Sequence, residues 1–176
     1  MEFKLQMPQH KMKKLPIFGD RVALVDDDDY DWAKNFKWHL KANKKSVRSS
    51  RYLSIGKTKV VTLSREVLGV FDKNKMVDHI NGDIFDNRKK NLRICTNKEN
   101  SRNRKSSCLN KLGVKGVRVK DGKFCAQIKV NAKEIHLGYF LNISEAAIAY
   151  DKAAIKYFGQ FARLNFPNAD YAFNWK

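Results

Sequence analysis

The segment from Met76 to Asn103 constrains its own local fold more tightly than any other part of the chain. Val77-Asp78-His79-Ile80 reads as a strand whose apolar ends flank a polar pair. Asn81-Gly82 is a strong turn signal, because both residues tolerate positive φ. Residues 83–88 make a polar loop, in which Asp83, Asp86, Asn87 and Arg88 are expected to bond the backbone with their side chains. Asn91-Leu92-Arg93-Ile94 alternates as a second strand would. Thr96-Asn97-Lys98-Glu99 has the pattern of a capping box, so a helix is expected to start at Asn97. Asn100 and Asn103 are three apart and share one face of that helix. Asparagine is a mediocre helix former, since its side chain competes for the backbone. Its use at 97, 100 and 103 therefore points to a reason other than propensity.

Charge narrows the partner. The chain of 176 residues carries 36 Lys and Arg against 18 Asp and Glu, a formal charge of +18. Such an excess repels itself in a compact state, so a polyanion is the expected partner. The charge is also clustered. Lys41 to Arg65 holds eight basic residues and no acidic one, and Lys98 to Lys120 holds eight against Glu99 alone. Such blocks make a field along a phosphate backbone. No run of about 20 apolar residues is available to cross a bilayer, and no lipidation motif is visible. Met1 to Lys14 is basic but lacks the apolar core of a signal peptide. Cys95, Cys108 and Cys125 include no C-x-x-C pair, which argues against a zinc knuckle. Their odd number fits a reducing cytoplasm. With 43% hydrophobic residues the chain can fold, as one domain or as small modules in a row.

Before the polar segment lie short β-like runs at Val22 to Val25, Phe36 to Leu40, Ser50 to Ile55 and Lys59 to Leu63. Asp26 to Asp29 suits a solvated helix start better than a metal site, because nothing nearby in sequence completes a ligand set. Leu63, Val67 and Val70 predict a short helix closing near Gly69. After a basic linker, Lys105 to Gly113, the pattern alternates again. Val117 and Val119 oppose Arg118 and Lys120. Asp121-Gly122 turns the chain. Phe124, Ala126, Ile128 and Val130 then oppose Lys123, Cys125, Gln127 and Lys129. A second turn at Asn131-Ala132 leads into Lys133 to Phe140. The expectation is a three-stranded antiparallel sheet with one apolar and one basic face. A helix capped by Ser144 and stopped by Gly159 would cover the apolar face with Ala147, Tyr150, Ala154 and Tyr157. The expected modules are 1–66, β-rich and basic; 67–105, the polar core; 106–112, a linker; 113–168, sheet and helix; and 169–176, a tail.

The polar segment has the groups that phosphodiester hydrolysis needs: a base, and charge relief on the phosphate and the leaving oxygen. His79 titrates near neutrality and can take a proton from water. Asp78 supplies a carboxylate and Asn100 an amide oxygen, the donors that a hard cation such as Mg²⁺ prefers. Asn91 either orients the His79 ring or closes the loop.

The string VDHINGDIFDNRKKNLRICTNKENSRNR resembles the HNH motif of phage-type homing endonucleases. The resemblance implies an α+β chain with a ββα-metal core around one divalent ion, magnesium or else manganese. It places the general base on His79, its orienting asparagine on Asn91, and the metal ligands on Asp78 and Asn100. Relatives often read Leu-His-Arg where this chain has Leu63-Ser64-Arg65. The C-terminal strings GVKGVRV, AQIKVNAKEIHLGYF and AAIAYDKAAIKYFGQFARLNFP resemble the APETALA-type (ethylene-response-factor) DNA-binding domain. That resemblance implies a sheet in the DNA major groove, although Val119 stands where relatives usually carry Trp. Arg93, Arg102, Arg104, Arg118, Lys120, Lys123, Gln127 and Lys129 are the candidate DNA contacts. Together these readings imply a site-specific endonuclease acting on double-stranded DNA as a monomer that nicks one strand, in the cytoplasm of a bacterial host of a phage. Two alternatives are a non-enzymatic DNA-binding regulator with a scaffold HNH segment, and an RNA-binding protein.

Overall fold

Strand β1 (Met12–Ile17) folds back on β2 (Arg21–Asp26) as an antiparallel hairpin, with Met12 opposite Asp26 and Ile17 opposite Arg21. Its turn uses positive φ at Gly19 and Asp20. This hairpin belongs to a computed structural model that describes residues 11–40, 46–53, 57–104 and 110–171, with 48–53 and 57–59 described by backbone only. Cys108, residues 105–109 of the linker, residues 1–10 of the basic amino-terminal stretch, and 172–176 of the tail lie outside the described residues. The chain forms two compact units, one ending at Asn97 and one beginning at Lys98.

In the first unit, helix α1 (Asp27–Ala33) follows β2 directly, with Asp27, Asp28 and Asp29 in its first turn against the unpaired N–H groups. The solvated start expected there is only partly found: Asp26 and Asp29 are buried. Trp38 is buried and donates Nε1 to the Ala33 carbonyl at 2.8 Å, which satisfies an orphan acceptor at the helix end. The strand expected from Phe36 shortens to β3 (His39–Leu40), because Phe36 N turns back onto Ala33 O. β3, β4 (Val47–Leu53) and β5 (Lys57–Thr62) form an antiparallel sheet in that order. Helix α2 (Leu63–Val67) comes next, then the antiparallel pair β6 (Met76–His79) and β7 (Leu92–Cys95). One core joins Leu15, Ala23, Val25 and Trp38 to Leu63, Val67 and Leu92, so the position expected for a module boundary at 66 falls within it.

Helix α3 (Asn97–Arg102) opens on the last residue of the first unit. In the second unit β8 (Val117–Lys120), β9 (Lys123–Val130) and β10 (Lys133–Phe140) form a sheet ordered β10-β9-β8, all antiparallel. Helix α4 (Ile143–Phe158) packs on its apolar face: Ala146 against Val117 and Ala126, and Tyr150, Ala154 and Phe158 with Ile128. Three details differ from the sequence reading. The helix cap is Asn142, whose side chain accepts from Ser144 N. Phe158 is buried where Tyr157 was expected, since Tyr157 is 39% exposed. Val119 is 58% exposed near the end of β8, whereas Cys125, on the face expected to be basic and solvated, is fully covered.

Candidate active site and nucleic-acid interface

The loop between β6 and β7 is built by its own polar side chains. Asn81 Oδ1 accepts from Asp83 N at 2.8 Å, and Asp83 Oδ1 accepts from Phe85 N at 2.9 Å. These are the short-range bonds for which Asx residues are favoured in turns. Asp86, almost fully buried, receives Nε and Nη2 of Arg88, both at 2.7 Å, and Nδ2 of Asn81 at 3.1 Å. The Arg88 guanidinium holds the Asp86 carboxyl below its ordinary range. Asn91 is buried and ties the two ends together: its Nδ2 donates to Asn81 Oδ1 and to Asp86 O, and its Oδ1 accepts from Asn81 N.

The amino-terminal hairpin then fixes this loop in place. Leu24 N donates to Phe85 O at 2.7 Å, and Asn87 N donates to Leu24 O at 2.8 Å. Asp26 Oδ2 accepts from Lys89 N at 2.8 Å, and Lys89 Nζ reaches Asp29 Oδ2 at 3.1 Å. The aspartates beside β2 therefore anchor the loop from a distance in sequence that no local pattern reveals.

His79 ends β6, half-buried, with Nε2 3.2 Å from Asn87 Oδ1. Burial pushes its pKa below the ordinary histidine value. The Asn87 contact and the charges of Asp78, Asp83 and Asp86 oppose that shift without cancelling it. The imidazole is therefore neutral at pH 7, the state a proton acceptor requires. Asp78, the preceding residue, is buried and pairs with a residue directly opposite in the ladder: Arg93 donates Nη2 and Nε to Asp78 Oδ2 at 2.6 and 2.9 Å. Arg93, a candidate phosphate contact from sequence, thus has its guanidinium on a protein carboxylate, and its side chain is 11% exposed. Asn100 is half-buried on α3, in the second unit.

Among the described residues, no three His, Cys, Asp or Glu side chains converge as a cage for an ion. A magnesium-type site does not need one, since it uses one or two carboxylates and leaves the remaining positions to water and substrate phosphate. The buried Asp78 carboxylate and the Asn100 amide are hard oxygen donors of that kind.

In the second unit, the face of the sheet away from α4 carries Arg118, Lys120, Lys123 and Lys129, all exposed. Register places Arg118 opposite Cys125, Lys120 opposite Lys123, and Gln127 opposite His136. Arg118 lies 3.8 Å from Glu134, a loose pair that leaves the guanidinium more than half exposed. Gln127 is half-buried, and its Oε1 is sealed from solvent with no hydrogen bond. Arg102 lies over the Phe158 ring at 4.7 Å, while Arg104 is exposed. Lys115, which the sequence reading left unassigned, donates Nζ to the carbonyls of Arg102 and Arg104 at 2.6 and 2.7 Å.

Residues 62–102 match the family model of an HNH endonuclease. The match spans α2 to α3, contains Asp78, His79, Asn91 and Asn100, and supports a nuclease at the level of the family. The chain is also 53% identical over 36 residues to dehydration-responsive element-binding protein 2E of Arabidopsis thaliana. That likeness covers 20% of this chain and 15% of the relative. No helix among the described residues is long and apolar enough to cross a membrane.

Proposed function

We propose that this chain is a site-specific, metal-dependent DNA endonuclease of the homing HNH type, with a ββα-metal core formed by β6, β7 and α3. The observation that carries the reading is the His79 ring, half-buried and held neutral inside the segment that matches an HNH endonuclease. In this reading His79 takes a proton from water. The water oxygen bonds to phosphorus as the bond to the 3′-oxygen breaks, leaving a 5′-phosphate and a 3′-hydroxyl. Asp78 and Asn100 would hold a divalent ion, magnesium by their donor chemistry, which supplies charge relief on the phosphate and the departing oxygen. The basic face of β8–β10 would lie against duplex DNA, with Arg118 and Gln127 facing bases and Lys120, Lys123 and Lys129 facing phosphates. Its support is the exposure of its cations and the resemblance of this module to APETALA-type domains. A monomer with one such centre would nick a single strand.

The test is nicking of supercoiled plasmids that carry candidate genomic fragments, with wild type and His79→Ala, in Mg²⁺ and in EDTA. The expected result is metal-dependent nicking that falls by several powers of ten in the variant while DNA affinity holds. Equal cutting by both proteins would remove His79 as base. A second reading, a DNA-binding regulator that does not cut, draws on the Arg93 guanidinium that already occupies Asp78 Oδ2. Tight binding without metal-dependent cutting, and no divalent-ion binding with or without DNA, would favour it.

A further inference from the structure

We propose that Asn87 is the positioning residue for His79, and that it places the ring proton on Nε2 so that Nδ1 is the nitrogen that accepts the proton from water. The second half of this statement rests on the nuclease reading; the first does not. Asn87 is 1% exposed and is fixed at three points. Its backbone N donates to Leu24 O, its Nδ2 donates to Ile84 O at 3.1 Å, and its Oδ1 faces His79 Nε2 at 3.2 Å. Turning the amide over would set Oδ1 against the Ile84 carbonyl, two acceptors facing each other, and would lose that bond. The oxygen is therefore held toward the ring. An amide oxygen only accepts, and a neutral imidazole has one N–H. That hydrogen belongs on Nε2, and the lone pair remains on Nδ1.

Asn91 has different work. Its two amide hydrogens go to Asn81 Oδ1 and Asp86 O, and its oxygen accepts from Asn81 N. Asn91 closes the loop, whereas Asn87 holds the ring. Because Asn87 is pinned to Leu24, the β1–β2 hairpin is part of the scaffold that sets the histidine tautomer.

The experiment is a long-range ¹H–¹⁵N correlation of the imidazole rings in the full-length protein, without DNA or metal, at pH 8, with His79 assigned against His79→Gln. Wild type is expected to show Nε2 protonated and Nδ1 bare; a protonated Nδ1 overturns the proposal. Asn87→Asp keeps an acceptor on Nε2 and should keep the tautomer. Asn87→Ala should move both ring nitrogens toward the averaged position of an unconstrained histidine. If the alanine variant does not fold, the wild-type and aspartate spectra decide alone. In nicking assays Asn87→Ala should lower kcat by about 10- to 100-fold at unchanged KM, with recovery in Asn87→Asp. A folded alanine variant with the wild-type tautomer and kcat also overturns the proposal. A wild-type protein that nicks no DNA would remove the nuclease reading while leaving the tautomer result intact.

Discussion

Asp78 and Arg93 stand opposite each other across β6 and β7, and both N–H groups that Arg93 sends to Asp78 converge on one carboxylate oxygen. Both side chains are largely removed from water, at 7% and 11% exposure. Removing one member of such a pair strands the other charge. Arg93→Met is therefore expected to destabilise the first unit by about 3–5 kcal/mol, read from urea unfolding, whereas Asp78→Leu with Arg93→Met should recover most of it. Equal losses in the single and double variants would show that the pair is not coupled.

Asn91 should behave as a structural residue. Asn91→Ala leaves Asn81 N and the Asp86 carbonyl without the partners they have now. Each buried polar group left unpaired costs about 1–3 kcal/mol. Thermal melting and nicking should decline together in this variant. His79→Ala should separate them, keeping the fold and losing the cut.

Gly116 cannot accept a side chain. Its φ is +76°, and a Cβ there would stand 1.8 Å from Cδ2 of the buried Tyr150. Gly116→Ala must displace the ring that seals β9 against α4. A loss of about 2–4 kcal/mol in the second unit is expected from overpacking and the left-handed backbone together. A melting temperature equal to wild type would contradict the packing described.

Lys115 gives a pH signature. Burial pushes its pKa down to about 8, with Arg163 adding to the shift and Asp151 opposing it. The unfolded chain keeps its ordinary value near 10.5. Between these two values the unfolded state binds more protons, so this group makes the fold more stable as pH rises from about 8 to 10.5. The neutral amine still has two hydrogens for the carbonyls of Arg102 and Arg104. In paired melts, the advantage of wild type over Lys115→Met should grow across that window. A constant difference would mean that Lys115 keeps its ordinary pKa.

Phosphate contact by the β8–β10 face has a salt signature. Lys123 is exposed and lies opposite Lys120 at the hairpin turn. If it holds a phosphate, Lys123→Ala should weaken binding evenly across duplex sequences and reduce the slope of log K against log salt by about 1. An unchanged slope would take Lys123 off the DNA.

Sequence alone determined the elements whose signals are local. The apolar ends of Val77 to Ile80, the alternation at Asn91 to Ile94, and the Asx-rich loop between them predicted β6, β7 and their connection. Alternation and the Asp121-Gly122 turn predicted the three-stranded sheet, and Gly159 marked the end of α4 at positive φ. These features survive because strand period and turn chemistry are set within a few residues. Partnership across the fold was decided only in three dimensions. Nothing near Asp26 or Asp29 in sequence announces that Lys89 will satisfy them, and nothing near Asn87 shows its bonds to Leu24 and His79. Arg93 looked like a phosphate ligand because an isolated arginine in a basic chain is assumed to face solvent. The register of β6 on β7 placed a carboxylate opposite it instead, and in a site withdrawn from water a charge-assisted bond to that carboxylate outweighs solvation.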